Sequence, residues 1–318
     1  MIRGGEIIMS KVSIVIPCYN EEENIPRLYE VVTDIMKTDL NEYDYEILML
    51  DNRSKDSSRN IIRNLCNNDT HVKAIFQRVN CGSNANAFYG LQNSDGDCSI
   101  MLYADFQEPP ELIPMMVHEW EKDHKSVCMV KTKSKENKLV YLARGIYYKV
   151  FTKMSQIPQM EQFDGFGCYD RSFVEIIRNI HDNDPFFKGI IAEYIGEHIE
   201  IEYEQQKRAA GKPSLDFFGY FDSAMLSFTT YTKSGLRIAT FFGIIISIVS
   251  FLIGFIYLVF KLMYWDIYPA GNIPILLGML FLGGVQLFFL GFLGEYIMNI
   301  NTRVINRPMA IEEERINF

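Results

Sequence analysis

The amino-acid sequence of 318 residues predicts an α/β domain with a mostly parallel sheet, followed by two transmembrane helices. Apolar, β-branched runs at Val12 to Pro17, Tyr45 to Leu50 and Val72 to Gln77 alternate with segments of helical periodicity. Strands that alternate with helices are typical of a parallel, doubly wound sheet. After about Leu236 two long apolar runs dominate, and this change in composition predicts a separate membrane unit.

The two apolar runs are each long enough to cross a bilayer. Ala239 to Phe260 contains no charged residue and would span about 33 Å as a helix. Ile273 to Leu293 is the second run, and Lys261 to Asn272 separates the two. The basic residues that flank the pair are Lys233, Arg237, Arg303, Arg307 and Arg315. The positive-inside rule therefore predicts an inner-membrane protein whose α/β domain and termini are cytoplasmic. The alternative is two buried helices of a soluble protein.

The predicted domain boundaries follow from these patterns. We expect residues 1–10 to form a flexible N-terminus, with Met1 or Met9 as the start, and residues 11–210 to form the α/β domain. Residues 211–236 are predicted to lie along the membrane surface, because Leu215 to Tyr231 is aromatic-rich with few charges. Residues 237–298 are predicted to form a two-helix membrane hairpin, with spans at about 239–260 and 273–294, and residues 299–318 a cytoplasmic tail.

Charge and cysteine usage argue against several classes of function. The formal net charge of −9, without a run of lysine or arginine, argues against nucleic-acid binding. The six cysteines contain no Cys-x-x-Cys pair, so reduced thiols are predicted rather than disulfides or a zinc site. The five histidines also lack the spacing of metal ligands, and none is assigned a role.

A short apolar strand within Ile100 to Pro114 ends in three polar residues, Asp105, Gln107 and Glu108, before a Pro-Pro pair. In an open α/β sheet, ligands bind beyond the carboxyl ends of the strands. Oxygen ligands two residues apart at such a strand end suit a hard divalent cation that holds a diphosphate. The alternative is an ordinary strand-to-helix turn whose polar side chains face water.

A second polar segment, Asp51 to Asp56, follows the strand Tyr45 to Leu50 at the same predicted sheet edge. An aspartate in the position of Asp51 can accept hydrogen bonds from a nucleobase or a ribose. The alternative is an Asx-type turn that caps the next helix, and for Asp56 this capping interpretation is favoured.

Four segments together carry a family resemblance: Val12 to Asn24, Asp51 to Ser57, Asn80 to Ala87 and Ala104 to Pro110. In order and spacing they resemble the motifs of family 2 glycosyltransferases, over nearly the whole chain. The two predicted spans, with Gly294-Glu-Tyr and Asn306-Arg-Pro after them, are similar to the polyprenyl-phosphate glycosyltransferases, the group of bactoprenol glucosyltransferase and dolichol-phosphate mannose synthase. The resemblance implies the GT-A fold of nucleotide-sugar-binding domains.

The resemblance also implies roles for individual residues. Those expected to bind the nucleotide are Pro17, Tyr19, Glu21, Asp51, Asn52, Arg53 and Ala104. Those expected to hold a Mg²⁺ or Mn²⁺ ion are Asp105 and Gln107. Those expected near the acceptor phosphate are Lys133, Lys135, Arg144, Arg208 and Lys212, with a solvated cationic surface as the open alternative for the three lysines. The expected catalytic residues are Asp105, Arg144 and Arg208.

Several residues depart from the family pattern. They are Asn52 for the second acid of the nucleotide motif, Arg53 for its glycine, Tyr103 for the first acid of the metal motif, Gly165 for a further aspartate, and Pro213 to Leu215 for Ser-Lys-Tyr. The lost acids are expected to weaken binding of a divalent ion, and we expect Arg53 to replace part of its positive charge. Catalysis remains feasible, because a phosphate acceptor is already ionised near pH 7 and needs no strong general base.

The sequence therefore predicts a membrane-anchored, inverting glycosyltransferase of cell-envelope glycan synthesis. It would move a sugar from a nucleotide-diphosphate donor to a polyprenyl phosphate such as undecaprenyl phosphate at the cytoplasmic membrane face. A UDP-sugar donor and a homo-oligomer are implied by the resemblance alone, and the sugar is not specified. A processive polysaccharide synthase is disfavoured because the chain lacks Gln-x-x-Arg-Trp. The alternative from another class is a non-catalytic membrane scaffold that kept the fold.

Overall fold

The computed structural model of the chain describes residues 2–3, 6–7, 9–133, 160, 162–208, 225–231, 234–263, 272–305 and 307–318. The predicted site residues Lys135, Arg144 and Lys212 lie outside the described residues, as does the segment 213–215. The predicted interfacial region is described only from residue 225 onward, apart from residues 232–233. Lys133 is described in its backbone alone, at the end of a strand.

Strands and helices alternate through the first half of the chain, as predicted. The strands are β1 (Ile2–Arg3), β2 (Glu6–Ile7), β3 (Lys11–Cys18), β4 (Asp44–Asp51), β5 (Val72–Gln77), β6 (Cys98–Met101), β7 (Ser126–Lys133), β8 (Phe163–Asp170), β9 (Ile199–Glu204) and β10 (Glu312–Ile316). The helices are α1 (Ile25–Thr38), α2 (Ser58–Asn68), α3 (Ser83–Asn93), α4 (Ile113–Glu121) after the 3₁₀ turn Pro110–Leu112, α5 (Arg171–Arg178), α6 (Phe187–Tyr194), α7 (Ser234–Met263) and α8 (Asn272–Val304). Residues 225–231 are also helical.

Eight of these strands form one sheet in the order β10-β5-β4-β3-β6-β8-β7-β9. β3 lies parallel to both β4 and β6, and β4 lies parallel to β5, which confirms the predicted parallel arrangement of this half. The other half is mixed, because β8 runs antiparallel to β6 and β7 while β9 is parallel to β7. The predicted parallel sheet thus becomes mixed beyond β6.

Both faces of the sheet are covered, which explains the continuous apolar runs in its central strands. Successive side chains of a strand point to opposite faces. Ile14 and Ile16 of β3 accordingly belong to a core with α1, α2 and α4, whereas Val15 belongs to a core with α3, α5 and α6. α3 packs closely on the sheet at Gly90, where a Cβ atom would lie 2.6 Å from Leu50 Cδ1 and 2.7 Å from Val15 Cγ1.

The C-terminal residues contribute an edge strand of this sheet. β10 pairs antiparallel with β5, and Arg315 lies opposite Ile75 in the register. The sequence analysis treats residues 299–318 only as a tail. It misses the strand because Glu312–Ile316 has four charged residues among five and no apolar alternation. Pairing satisfies backbone groups that would otherwise be unpaired at the edge of β5.

Two long helices, α7 and α8, account for most of the described part of the predicted membrane unit. They have 30 and 33 residues, and many of their apolar side chains are exposed. Phe281–Val304 of α8 is long and apolar enough to cross a membrane, by length and composition. The apolar stretch Thr240–Ile256 of α7 is shorter. Within the described residues one span therefore has this support, and the two-span arrangement stays a prediction.

A buried carboxylate ties three strands together at the amino-terminal side of the sheet. Glu46 of β4 is 1% exposed and forms ion pairs with Lys11 at 2.9 Å and Lys73 at 2.7 Å. It also accepts a hydrogen bond of 2.6 Å from the Ser13 hydroxyl and one of 2.8 Å from the Asp95 amide. Burial by itself raises the pKa of Glu46, but the hydrogen bonds from Lys73, Ser13 and Lys11 outweigh burial and hold the pKa at about 2.

Replacing this carboxylate by an amide is expected to make stability less dependent on pH in the acid range. At pH 7 we expect Glu46→Gln to lower the free energy of unfolding by about 1–3 kcal/mol. The pKa is depressed in the folded state, so the wild-type advantage is present above the ordinary value of 4.5 and is lost as the pH falls towards about 2. Unfolding curves of both proteins across this pH range measure the difference. Glu111→Gln, at an exposed glutamate, is the control, and a pH-independent difference would contradict the prediction.

Candidate active site

A cavity of about 650 Å³ opens beyond the carboxyl ends of β3, β4 and β6. Its lining residues are Pro17, Cys18, Tyr19, Asn20, Glu21, Asn52, Asn80, Gly82, Ser83, Asn86, Tyr103, Ala104, Asp105 and Arg208. Parallel strands place the segments that follow them at one sheet edge, so the segments after β3, β4, β5 and β6 meet here, and Arg208 joins them. The volume is in the range of cavities that hold a small organic ligand.

The cavity brings together many of the predicted site residues. Those that line it are Pro17, Tyr19, Glu21, Asn52, Ala104, Asp105 and Arg208. Three predicted residues, Asp51, Arg53 and Gln107, are not part of its lining. Asp51 is fully buried behind the wall, where the Ser54 amide donates to its Oδ1 atom over 3.2 Å.

Arg208 makes the principal electrostatic contact at the cavity wall. Its Nη2 atom lies 3.0 Å from Asp105 Oδ2 and 3.4 Å from Glu21 Oε1. Burial raises the pKa of Glu21 above its ordinary value, although hydrogen bonding from Asn24 and the charge of Arg208 act in the opposite direction. The segment that carries Arg208 is held in place by a backbone hydrogen bond, in which the N–H of Gln206 donates to the main-chain carbonyl of Gln107 over 3.0 Å. One guanidinium group thus bridges two carboxylates that come from different strand ends.

The loop between β5 and α3 is a part of the site that sequence reasoning left unassigned. Asn80, Gly82, Ser83 and Asn86 line the cavity, although the motif Asn80 to Ala87 contributed only to the family resemblance. Gly82 has a φ of +86°, which favours glycine. The position of this loop after a parallel strand was the signal that could have identified these residues.

Asn52 explains one departure from the family pattern. Its Nδ2 atom donates to Asn80 Oδ1 over 3.1 Å and to the Gly82 carbonyl over 3.2 Å. Its Oδ1 atom accepts from the Cys81 amide over 2.9 Å. A carboxylate accepts but cannot donate, so only the amide makes all three bonds. Asn52 therefore fastens the loop of residues 80–82 to the wall of the cavity.

Arg53 stands where the family pattern has glycine, and its backbone retains the conformation that favours glycine. Its φ is +61°, which costs a non-glycine residue about 1 kcal/mol. Its Nη1 atom donates to the Arg78 carbonyl over 2.8 Å, and the residue is exposed outside the cavity lining. The expectation that Arg53 supplies charge to the diphosphate therefore receives no support from this contact.

Tyr103 and Gly165, two further departures, lie against each other. The Tyr103 hydroxyl donates to the Asp164 carbonyl over 2.9 Å. A Cβ atom on Gly165 would lie 2.6 Å from Phe187 Cε1 and 3.3 Å from the Tyr103 hydroxyl, and the φ of Gly165 is +96°. An aspartate at position 165 would therefore be strained in its backbone and would require the Phe187 ring to move. Tyr103 and Gly165, which each replace an acid of the family pattern, are therefore in contact with each other.

A cluster of charged residues lies next to Tyr103. Lys131 of β7 and Lys188 of α6 both form ion pairs with Asp164. Burial raises the pKa of Asp164, but the two lysines outweigh burial and hold it well below its ordinary value. Lys131 also lies 4.0 Å from Glu108, whose pKa is raised to about 8 by burial and by the charge of Asp105. No local sequence pattern points to either lysine, because only the fold brings β7 and α6 together beside Asp164.

A divalent cation would find an incomplete set of protein ligands here. Among the described residues, no group of three or more histidine, cysteine, aspartate or glutamate side chains is arranged to hold a metal ion. Asp105 is a carboxylate at the cavity, and the backbone N–H of Gln107 donates to the Asp105 Oδ1 atom over 3.1 Å. Mg²⁺ is commonly bound by one or two carboxylates together with substrate phosphates and waters. The donor set therefore fits such an ion only when a phosphate ligand completes it.

The chain is similar to known proteins along almost its whole length. The sequence profile of Glycosyl transferase family 2 matches residues 13–196. The SfII prophage-derived bactoprenol glucosyl transferase of Shigella flexneri is 32% identical over 303 residues, which cover 95% of this chain and 97% of that protein. The undecaprenyl-phosphate 4-deoxy-4-formamido-L-arabinose transferase of Proteus mirabilis (strain HI4320) is 29% identical over 306 residues, covering 94% and 92%. The solved glucosyl-3-phosphoglycerate synthase of Mycobacterium tuberculosis has a TM-score of 0.45 and 14% identity, over 70% of this chain and 77% of that one.

Restoring the acid of the family pattern at position 52 is expected to damage the site. In Asn52→Asp, two donor bonds to the loop of residues 80–82 are lost, so the free energy of unfolding should fall by about 1–3 kcal/mol. We expect UDP affinity to fall with it, because the loop lines the cavity. Thermal unfolding and titration calorimetry with UDP measure the two effects. Asn179→Asp, which removes an amide donor just after the C-terminal end of α5, is the control. An aspartate variant with wild-type stability and affinity would contradict the prediction.

Proposed function

Because the chain belongs to glycosyl transferase family 2, we propose that it transfers a sugar, with inversion, from a nucleotide-diphosphate donor to a polyprenyl phosphate. Its α/β domain has the GT-A fold that the resemblance implies. The observation that carries the proposal is the cavity at the carboxyl ends of β3, β4 and β6, with Arg208 and Asp105 at its wall. Undecaprenyl phosphate as acceptor is in keeping with the names of two relatives, and a UDP-sugar donor belongs to the proposal on the strength of the family resemblance.

The donor nucleotide is proposed to bind along the loops that follow β3, β4 and β5. Pro17, Tyr19 and Glu21 come from the first loop, and Asn52 supports the third loop by its hydrogen bonds. The polar lining offers backbone and amide groups that can pair with a base and a ribose. Asp51 does not line the cavity, and its proposed role is to hold the loop after β4 in position by accepting a hydrogen bond from the Ser54 backbone N–H.

Departure of the nucleoside diphosphate is the step that needs stabilisation. Negative charge accumulates on the leaving phosphate, and a positioned cation in a partly buried site stabilises it. Arg208 is proposed to exchange part of its contact with Asp105 and Glu21 for a contact with this phosphate. Its guanidinium group is suited to two parallel hydrogen bonds with phosphate oxygens.

The acceptor phosphate is proposed to attack the anomeric carbon from the side of the cationic residues. It is ionised near pH 7, so alignment and charge neutralisation matter more than proton removal. Lys131 and Lys188 are the described cations beside Tyr103, and both engage Asp164. The predicted acceptor residues are Lys133, Lys135, Arg144, Arg208 and Lys212, and they remain part of the proposal.

We propose that Asp105 and Gln107 would hold a Mg²⁺ or Mn²⁺ ion near the donor diphosphate. When bound, it would supply positive charge to the departing phosphates. Arg208 supplies charge at the same carboxylate, so the arginine and the ion share this role. Tyr103 and Gly165 stand where the family pattern has acids, so the ion would have few protein ligands.

The membrane arrangement is proposed from α7 and α8 together with their basic flanks. Two spans would place the α/β domain and both termini on the cytoplasmic face of the inner membrane. The polyprenyl tail would then stay in lipid while its phosphate reaches the cavity. A homo-oligomer is part of the proposal on the strength of the resemblance alone.

Transfer to a lipid phosphate tests this function directly. The full chain in lipid nanodiscs, with radiolabelled nucleotide sugars and undecaprenyl phosphate, is expected to form a labelled lipid. Arg208→Gln should lower kcat by about 10²-fold or more, because the leaving phosphate loses its counter-charge. Arg171→Gln, at an arginine that pairs with Asp95 and Glu175 on the surface, should change kcat by less than about twofold. A folded wild-type protein that transfers none of the sugars would favour the scaffold alternative.

The role of Asp105 towards a divalent ion is testable by binding alone. We expect Mg²⁺ to strengthen UDP binding by about tenfold relative to EDTA, since the ion would join the carboxylate to the diphosphate. Asp105→Asn should abolish this gain. Glu21→Gln, which alters the other carboxylate that contacts Arg208, should retain it. Calorimetry in Mg²⁺ and in EDTA gives the values, and equal wild-type affinities in both would refute the role.

A further inference from the structure

The edge strand β10 is attached to the sheet by a row of acidic side chains. Glu313 pairs with Arg59 of α2 at 2.9 Å, and Glu314 pairs with Arg63 of the same helix at 2.7 Å. Glu312 accepts a hydrogen bond of 2.7 Å from the Tyr89 hydroxyl on α3. The segment that follows the long helix α8 is therefore bound to two helices of the α/β domain.

Arg59 differs from its neighbour because it contacts two acids at once. Its Nε atom lies 3.4 Å from Asp51 Oδ2, while its Nη2 atom contacts Glu313. Asp51 is fully buried, and the guanidinium group of Arg59 lies 5.3 Å from the centre of the Phe76 ring. A flat cation on an aromatic ring with an acid on either side has little freedom to move.

From Asp51 a chain of hydrogen bonds reaches the cavity. The Ser54 backbone N–H donates to Asp51 Oδ1 over 3.2 Å, and the Ser54 hydroxyl accepts from the backbone N–H of Asn20 over 2.9 Å. The Lys55 amide donates to Asn20 Oδ1 over 2.8 Å. Asn20 lines the cavity, and so does Asn52, the residue after Asp51. The position of Asp51 therefore sets the position of two parts of the cavity wall.

We propose that Glu313 is a positioning residue for the donor nucleotide, acting through Arg59 and Asp51. The C-terminal strand then does more than extend the sheet, since it holds the loops that line the nucleotide end of the cavity. This inference rests on the proposed function, because it takes a nucleotide as the ligand of that cavity. Without the carboxylate of Glu313, Arg59 loses the contact that fixes its outer end, and Asp51 and Ser54 gain freedom.

The neighbouring pair offers a matched control. Glu314 follows Glu313 in β10, and its partner Arg63 lies one turn after Arg59 in α2. Arg63 also lies 4.6 Å from the centre of the Phe76 ring. Arg63 forms hydrogen bonds with Glu314 and Asn60, and within the described residues Arg59, not Arg63, forms an ion pair with Asp51. Loss of either glutamate weakens the attachment of β10, but only loss of Glu313 disturbs the contact that leads to the cavity.

The first experiment compares Glu313→Gln with Glu314→Gln in the full chain in lipid nanodiscs. UDP and GDP are the probes, and calorimetry gives their Kd values. We expect Glu313→Gln to weaken binding of the preferred nucleotide about three- to fivefold and to raise the donor KM equally, with kcat and the acceptor KM unchanged. Glu314→Gln should stay within about twofold in all these quantities. A similar drop in Tm for both variants would show that β10 is loosened to the same extent.

The second experiment reverses each ion pair. In the double variant R63E/E314R the reversed pair should restore both Tm and nucleotide binding. In R59E/E313R the tail contact is restored, but the new glutamate at position 59 faces the buried Asp51, so nucleotide binding should stay weak and Tm should recover only in part. Full recovery of nucleotide binding in R59E/E313R would overturn the proposal, because Glu313 would then serve only to attach the strand. If that double variant does not fold, the comparison of the two glutamine variants decides.

The outcomes separate this inference from the proposed function. Wild-type protein that binds neither nucleotide overturns both. Wild-type protein that binds, with Glu313→Gln and Glu314→Gln equally affected or both unaffected, overturns the positioning role alone. A selective loss of donor affinity in Glu313→Gln, with kcat retained, supports it.

Discussion

The parallel pairing of β3 with β4 and with β6 is the constraint on which the rest of the site depends. It places the loops after these strands at one edge, so Tyr19, Asn52 and Asp105 line a single cavity. An antiparallel neighbour would have carried one of these loops to the opposite edge of the sheet. Arg208 follows β9, the edge strand of the sheet opposite β10. It joins the site through its ion pairs with Asp105 and Glu21.

The departures from the family pattern make physical sense in pairs. Asn52 replaces an acid because its amide must donate to the loop of residues 80–82. Tyr103 and Gly165 replace two acids together, since the tyrosine hydroxyl and Phe187 fill the space that a side chain at position 165 would need. Negative charge is lost from the cavity, while the guanidinium of Arg208 remains beside Asp105. A cavity with fewer carboxylates and a retained arginine is suited to neutralising the charge of a diphosphate.

The long helix α8 and the cavity are connected through the C-terminal strand. β10 follows α8 and completes one edge of the sheet, and Glu313 reaches Arg59 beside the buried Asp51. A tail that is rich in charge and short in length gives no strand signal by itself. Its role arises from partners on β5 and α2, which lie far away in the chain. The arrangement links the part of the chain proposed to cross the membrane to the part proposed to bind the donor.

The sequence by itself determined the central strands, the family and the cavity residues that follow β3, β4 and β6, because these signals are local runs and motifs at strand ends. Even the segment from Asn80 to Asn86, a loop and the first turn of α3, was visible as a motif, although its residues received no role. The tertiary structure alone decided that Arg208 bridges Asp105 and Glu21, that Lys131 and Lys188 meet at Asp164, and that β10 joins the sheet. Each of these contacts joins residues far apart in the chain, and no local pattern of hydrophobicity or charge specifies which distant partner a side chain will meet.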